Sequence, residues 1–140
     1  MLTLKQIKAA INNKIIGKFP NIEIQSQNVK EGFMRPSFFV ELHNKGRDTM
    51  LYISERSMTT RLYYFPSDRY NFSLEIMDIQ DQLESEFNLN FKVGDRVVTI
   101  LETRSQPIDG VLEFEFDFEL VEFNGDEEEG ETMEELEVNA

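Results

Sequence analysis

Between Val111 and Phe123 the chain reads VLEFEFDFELVEF, and from Leu112 to Leu120 apolar and acidic positions alternate without a break. Leu112, Phe114, Phe116, Phe118 and Leu120 fall on one side of a period-two pattern, and Glu113, Glu115, Asp117 and Glu119 on the other. That period belongs to a strand with one face on a core and one face in water. A helix would scatter the phenylalanines around its cylinder. Acidic residues have low strand propensity, so the row of four predicts a tertiary reason for tolerating them.

The same reading predicts the other elements. Thr3 and Gln6 have the spacing of a capping box, and Leu4, Ile7, Ala10 or Ile11, and Ile15 follow at helical intervals. Gly17 is expected to cap this helix and Pro20 to prevent its continuation. Residues 21–27 alternate as a short strand, residues 30–36 read as a loop, and SFFVELH at 37–43 is dense in strand formers. Residues 44–48, NKGRD, read as a basic turn, followed by a strand over 51–65 interrupted by a bulge near 54–57. Phe72, Ile76, Ile79, Leu83 and Phe87 form one apolar stripe of a second helix over 71–87, with Glu75, Asp78, Asp81 and Glu84 outside. Residues 96–102 are expected to pair with 111–123, with residues 103–110 as their connection. From Asn124 onward aromatic residues are absent, which predicts a disordered acidic tail over 124–140 beyond an α+β domain over 1–123. The expected architecture is an antiparallel sheet, mixed at most, with two amphipathic helices on one face.

Composition narrows the function. The chain has 140 residues, no cysteine, one histidine and a net charge of −13. Lack of cysteine fits a reducing compartment and excludes disulfides and thiolate chemistry. No apolar run reaches the roughly 20 residues of a membrane span, and the N-terminus has no secretion-signal pattern, so assembly in the cytoplasm is expected. Charge is polarised: residues 1–70 carry +5, residues 71–123 carry −10 and residues 124–140 carry −8. Such a chain lacks the clustered cations of a nucleic-acid binder but can associate head to tail with its own copies. A merely solubilising acidic surface is the simpler alternative.

Catalytic chemistry is thin. His43 could be imagined with Ser54, Ser57 or Asp48, but no motif supports a triad. The carboxylates of 113–119 lie along one strand, whereas glycosidase carboxylates face each other across a cleft. Metal-ligand spacing and phosphate-cradling glycine loops are lacking, so neither an enzyme nor a cofactor is expected. Lys45, Arg47, Arg56 and Arg61 form a candidate subunit or partner interface, read equally well as scattered surface charge. Of Tyr63 and Tyr64, one is expected in the core and the other at the surface or an interface.

The N-terminal TLKQIKAAINNKI, then RPSFFVEL, RLYYFPSD before the second helix, and DGVLEFEFDFEL resemble, in that order, the small tail terminator (tail-completion) proteins of long-tailed phages and prophages of Gram-positive bacteria. The resemblance covers residues 1–123. It implies a subunit of a hexameric ring that caps the finished tail tube, stops polymerisation and faces a head-side connector. The implied partners are other copies, the tail tube protein, a sheath in contractile tails, and the connector; DNA passes without specific binding. Under that implication the acidic row Glu113, Glu115, Asp117 and Glu119 becomes a candidate lumen wall. A head-side neck protein, or an acidic binding module mimicking DNA, are the alternatives.

Overall fold

A computed structural model describes residues 2–25, 35–68 and 71–123. In chain order the elements are α1 (Leu4–Lys18), β1 (Glu23–Gln25), β2 (Ser37–Thr49), β3 (Ile53–Phe65), α2 (Ser73–Glu86), β4 (Asn90–Val93), β5 (Arg96–Ile108) and β6 (Val111–Phe123). The strands form one curled six-stranded sheet in the order β1-β2-β3-β6-β5-β4. β1 runs parallel to β2 and every other pair is antiparallel, so the sheet is mixed. The class is α+β.

The first helix starts as its sequence dictates. The Gln6 amide donates to Thr3 Oγ1 at 3.1 Å, and the Thr3 amide donates to Gln6 Oε1 at 2.9 Å. Its end differs from expectation: Gly17 lies inside the helix, and Phe19 is the C-cap immediately before Pro20. Ile7, Ile11 and Ile15 of α1 and Ile76, Ile79 and Leu83 of α2 are buried against the same sheet face. That core face takes Phe38 and Val40 from β2, Met58, Leu62 and Tyr64 from β3, and Leu112, Phe114, Phe116, Phe118 and Leu120 from β6. β6 is the inner strand on which the core is built. Phe87, just past α2, stacks on Phe116 with centroids 4.8 Å apart, and Phe91 of β4 meets Phe116 and Phe118 edge-on.

Two stretches read as turn or connection are strand, and the strand read as bulged is continuous. Residues 44–48 continue β2, and the irregularity expected on the next strand falls instead between Asn44 and Gly46. β3 is continuous from Ile53 to Phe65, and Leu51 belongs to the turn before it. Residues 103–108 continue β5, leaving only Asp109-Gly110 as the connection to β6. Both turn residues have positive φ, 51° and 77°, which is the geometry of a two-residue hairpin with the twist of its strands. Gly110 is also packed under Phe72, whose ring lies 3.3 Å from where a Cβ would stand. β5 and β6 are therefore equally long, and β6 finds its second partner in β3 along nearly its whole length. Strand β4 has no counterpart among the expected elements. Expectations for residues 26–34 and for the tail 124–140 lie outside the described residues.

Glu75 departs from its expected place on the outer face of α2. It accepts hydrogen bonds from the Tyr64 hydroxyl, the Ser67 amide at 2.8 Å and the Ser67 hydroxyl at 2.8 Å. Partial burial pushes its carboxyl up, but those donors outweigh burial and hold it below the usual range. Burial, reinforced by the bond to Glu75, raises the Tyr64 phenol well above its ordinary value. Glu75 thus fixes the β3–α2 connection to the core tyrosine. Glu75→Ala is expected to cost about 1–2 kcal/mol, read as a lower denaturation midpoint at unchanged slope. Tyr64→Phe in the Glu75→Ala background should then add little, because the partner is already gone.

Candidate functional site

The sheet face away from the helices carries the acidic row, and the structure supplies the reason the strand tolerates it. Register places Arg61 of β3 beside Glu115, with Tyr63 beside Glu113 and Thr59 beside Asp117. Arg61 pairs with Glu115 and lies 3.6 Å from Glu113. From the other side Arg104 of β5 reaches Glu115 at 3.1 Å and takes Asp117 with two nitrogens at 3.0 and 3.2 Å. Thr59 Oγ1 donates to Asp117 Oδ1 at 2.7 Å. Glu119, one step further along, is exposed.

Arg104 reaches this face through a bulge. Ile100 points into the core opposite Phe118, and with an unbroken period Arg104 would point there too. The register shift between Ile100 and Glu102 inserts one residue and turns Arg104 outward, beside Glu115. Partial burial pushes the Glu115 carboxyl up, but hydrogen bonds from Arg61 and Arg104 hold it below the usual carboxylate range. The Arg104 bond is the main cause lowering Asp117, against a smaller opposing effect of burial. Both guanidiniums are held more firmly protonated, each chiefly by its carboxylate hydrogen bond. The face is a lattice of fixed charges with anions in excess.

The four basic candidates are not one patch. Lys45 and Arg47 stand on the outer half of β2, where residues 43–49 are exposed on both faces. Arg61 is engaged in the acidic row. Arg56 is 6% exposed on the core face and donates to the Leu2 carbonyl at 3.1 Å. Beside it, Glu122, 3% exposed, accepts from the Leu2 amide at 2.6 Å, so the start of the chain is fastened to the far end of β6. Neither residue was singled out for this role by sequence; the only available signal was that Glu122 falls on the apolar side of the β6 alternation.

β2 and β3 together form a long hairpin ending in the turn Met50–Tyr52, where Leu51 is 80% and Tyr52 70% exposed. At its other end the outer face holds an open groove of about 400 Å³, lined by Phe39, Tyr63, Phe65, Ile108 and Val111 and edged by Glu41 and Glu113. Phe39 and Tyr63 stack there with centroids 6.1 Å apart, while Tyr64 is buried, which resolves the two tyrosines as expected. His43 stands outside the groove, exposed, with Nε2 3.1 Å from Glu41 Oε1; Ser54 faces the opposite side of the sheet. Among the described residues no group of His, Asp or Glu is arranged to hold a metal ion, and no helix is long and apolar enough to cross a membrane.

A family model described as phage tail terminator protein matches residues 6–130, a span that runs from the third residue of α1 through β6 and into the acidic tail. No curated protein matches the chain.

Proposed function

The chain belongs to the phage tail terminator family, and from that premise we propose that its copies close into a hexameric ring on the finished end of a tail tube. The ring stops addition of further tube subunits and offers its opposite surface to the head-side connector. The family match over most of the chain carries this reading. On this reading the protein is a component of the virion tail, assembled in the host cytoplasm, with the tube protein, the connector and, in a contractile tail, the sheath as neighbours.

The surfaces support a structural role. Lys45 and Arg47 stand on an arm exposed on both faces, and a subunit or tube contact is placed there. Arg61 is engaged within the chain, holding β3 to β6, and Arg56 holds Leu2. The acidic row is suited to the wall of the passage. Four carboxylates against two guanidiniums leave it net negative, so phosphate is repelled and DNA slides without specific binding. A DNA mimic would need these carboxylates free for a basic partner, whereas Glu115 and Asp117 are engaged internally.

The test uses tail tubes purified from particles assembled without this chain. Added protein is expected at one tube end in electron micrographs, and capped tubes are expected to stop elongating and to join heads. Uncapped tubes that keep growing would sink the proposal. Gold-labelled antibody found only on separated heads, never on headless tails, would move the protein to the neck.

A further inference from the structure

The Leu2 amide donates to Glu122, so the start of α1 is held beside the residue at which the chain leaves β6. Along the flank of α1 next to β1 runs a second open groove, of about 480 Å³. It is lined by Lys5, Lys8, Asn12 and Ile16 of the helix and by Ile24 and Gln25 of the strand. These helix positions form one stripe, set apart from the core stripe of Ile7, Ile11 and Ile15. The groove is graded: its cations stand at the end where β6 stops, and Ile16, 49% exposed, stands at the other with Ile24. Among the described residues Lys5 and Lys8 have no ion-pair partner, whereas Lys14 of the same helix pairs with Glu86 at 3.3 Å. α1 has no acidic residue, and Glu23, the carboxylate of β1, is not part of the lining. In the groove Asn12 Oδ1 and Gln25 Nε2, an acceptor and a donor, are buried without a hydrogen-bond partner among the described residues.

We infer that this groove is the docking site of the chain's own acidic tail, with residues 126–129, DEEE, on Lys5 and Lys8, and Met133 and Leu136 against Ile16 and Ile24. The order of the tail matches the order of the groove, because its first acidic run begins three residues after Phe123 and its largest apolar side chains follow. The reach matches too. Lys5 is three residues past Leu2, at most about 11 Å, and Ile16 lies eleven helical residues further, about 17 Å. Met133 is ten residues past Phe123, which extends up to about 33 Å. An extended backbone brings an amide for Asn12 Oδ1 and a carbonyl for Gln25 Nε2. The occupant belongs to the same copy because a tether this short holds the tail at roughly millimolar effective concentration. Exposed ion pairs are weak singly and need that help. The outer sheet face is no rival, since carboxylates outnumber guanidiniums there and repel the tail. The inference is independent of the ring reading.

The test exposes the full chain, at low salt, to a glutamate-specific protease and follows the tail by mass. Cleavage after residues 127–129 is expected to be about tenfold slower than in a synthetic peptide of residues 124–140, because cutting tracks the undocked fraction. Lys5→Gln with Lys8→Gln should return the rate most of the way to that of the peptide. Its melting temperature should stay unchanged, since glutamine suits a helix about as well as lysine. Met133→Ser with Leu136→Ser alters no described residue and should speed cleavage about threefold or more. A wild-type tail cut as fast as the peptide would overturn the inference, and so would protection that neither pair of substitutions weakens. Protection that grows with protein concentration would place the tail on another copy and overturn docking within one chain.

Discussion

Replacing Phe116 with alanine is expected to remove about 3–5 kcal/mol of folding stability. Its ring is fully buried at the centre of β6, stacked on Phe87, edge-on to Phe91 and flanked by Phe114 and Phe118. Truncation opens a cavity lined by parts that cannot all collapse inward: a paired inner strand, the end of α2 and strand β4. A domain of this size has only about 5–15 kcal/mol to lose, so the variant should unfold at moderate temperature. Denaturant titration measures it, and the midpoint should fall at nearly constant slope. Phe116→Leu should cost much less, and Phe123→Ala almost nothing, because Phe123 is 74% exposed. A loss below about 1 kcal/mol for Phe116→Ala would mean that the helices do not rest on this face of β6.

The periodicity that makes Phe116 a core residue is the part of the fold most legible in the sequence. β6 is half-buried along its length, so every position reports its face. The capping box at Thr3 and Gln6 is equally local, and it forms as written. The arm half of β2 is different. Its residues are exposed on both faces, so no alternation is selected, and Asn44, Gly46 and Asp48 look like a turn until β3 is known to pair with them. The end of β5 was disguised by Pro107. Proline is tolerated there because β4 pairs only with Arg96–Thr99, so among the described residues Pro107 lies on an edge of the sheet. β4 itself is four residues long, too short for a period to show.

The candidate site was legible as a list and illegible as an arrangement. The row of carboxylates could be read off β6, but their partners are set by register. Arg61 meets Glu115 because β3 pairs with β6 in one particular alignment, and Arg104 joins them because a bulge changes the face of β5. A one-residue difference in β3 would send Arg61 into the core, and one in β5 would send Arg104 there. No local pattern encodes that choice; burial of Leu62, Phe114 and Ile100 on the opposite face does. Arg56 shows the same dependence in reverse. It sat among the surface cations of the sequence, and the alternation of β3 turns it inward to Leu2.

Removing both guanidiniums, as Arg61→Gln with Arg104→Gln, is expected to cost about 2–3 kcal/mol near pH 7 and to invert the acid response of the protein. The magnitude is kept low because both side chains are partly exposed, 33% and 41%, and solvent screens such pairs. In the wild type the carboxyls of Glu115 and Asp117 titrate below their unfolded values. Their contribution is fully present above the unfolded values, near pH 4, and is lost as pH falls through the lower folded ones. Acid therefore destabilises the wild type through this row. Without the arginines, Glu113, Glu115, Asp117 and Glu119 stand about 7 Å apart along one strand, with Lys45 of β2 still acting on Asp117. Burial and the neighbouring carboxylates then raise the folded value of Glu115 above its unfolded one. Protonation now relieves the folded state, so the double variant should gain stability as pH is lowered from 7 toward 5, while the wild type stays level there. The two single losses should not add, because both arginines bind Glu115. Denaturation midpoints of all four proteins at pH 7, 6 and 5 measure this directly. Parallel curves for wild type and double variant would show that the arginines do not stabilise the row, and that something else lets a central strand carry four acids.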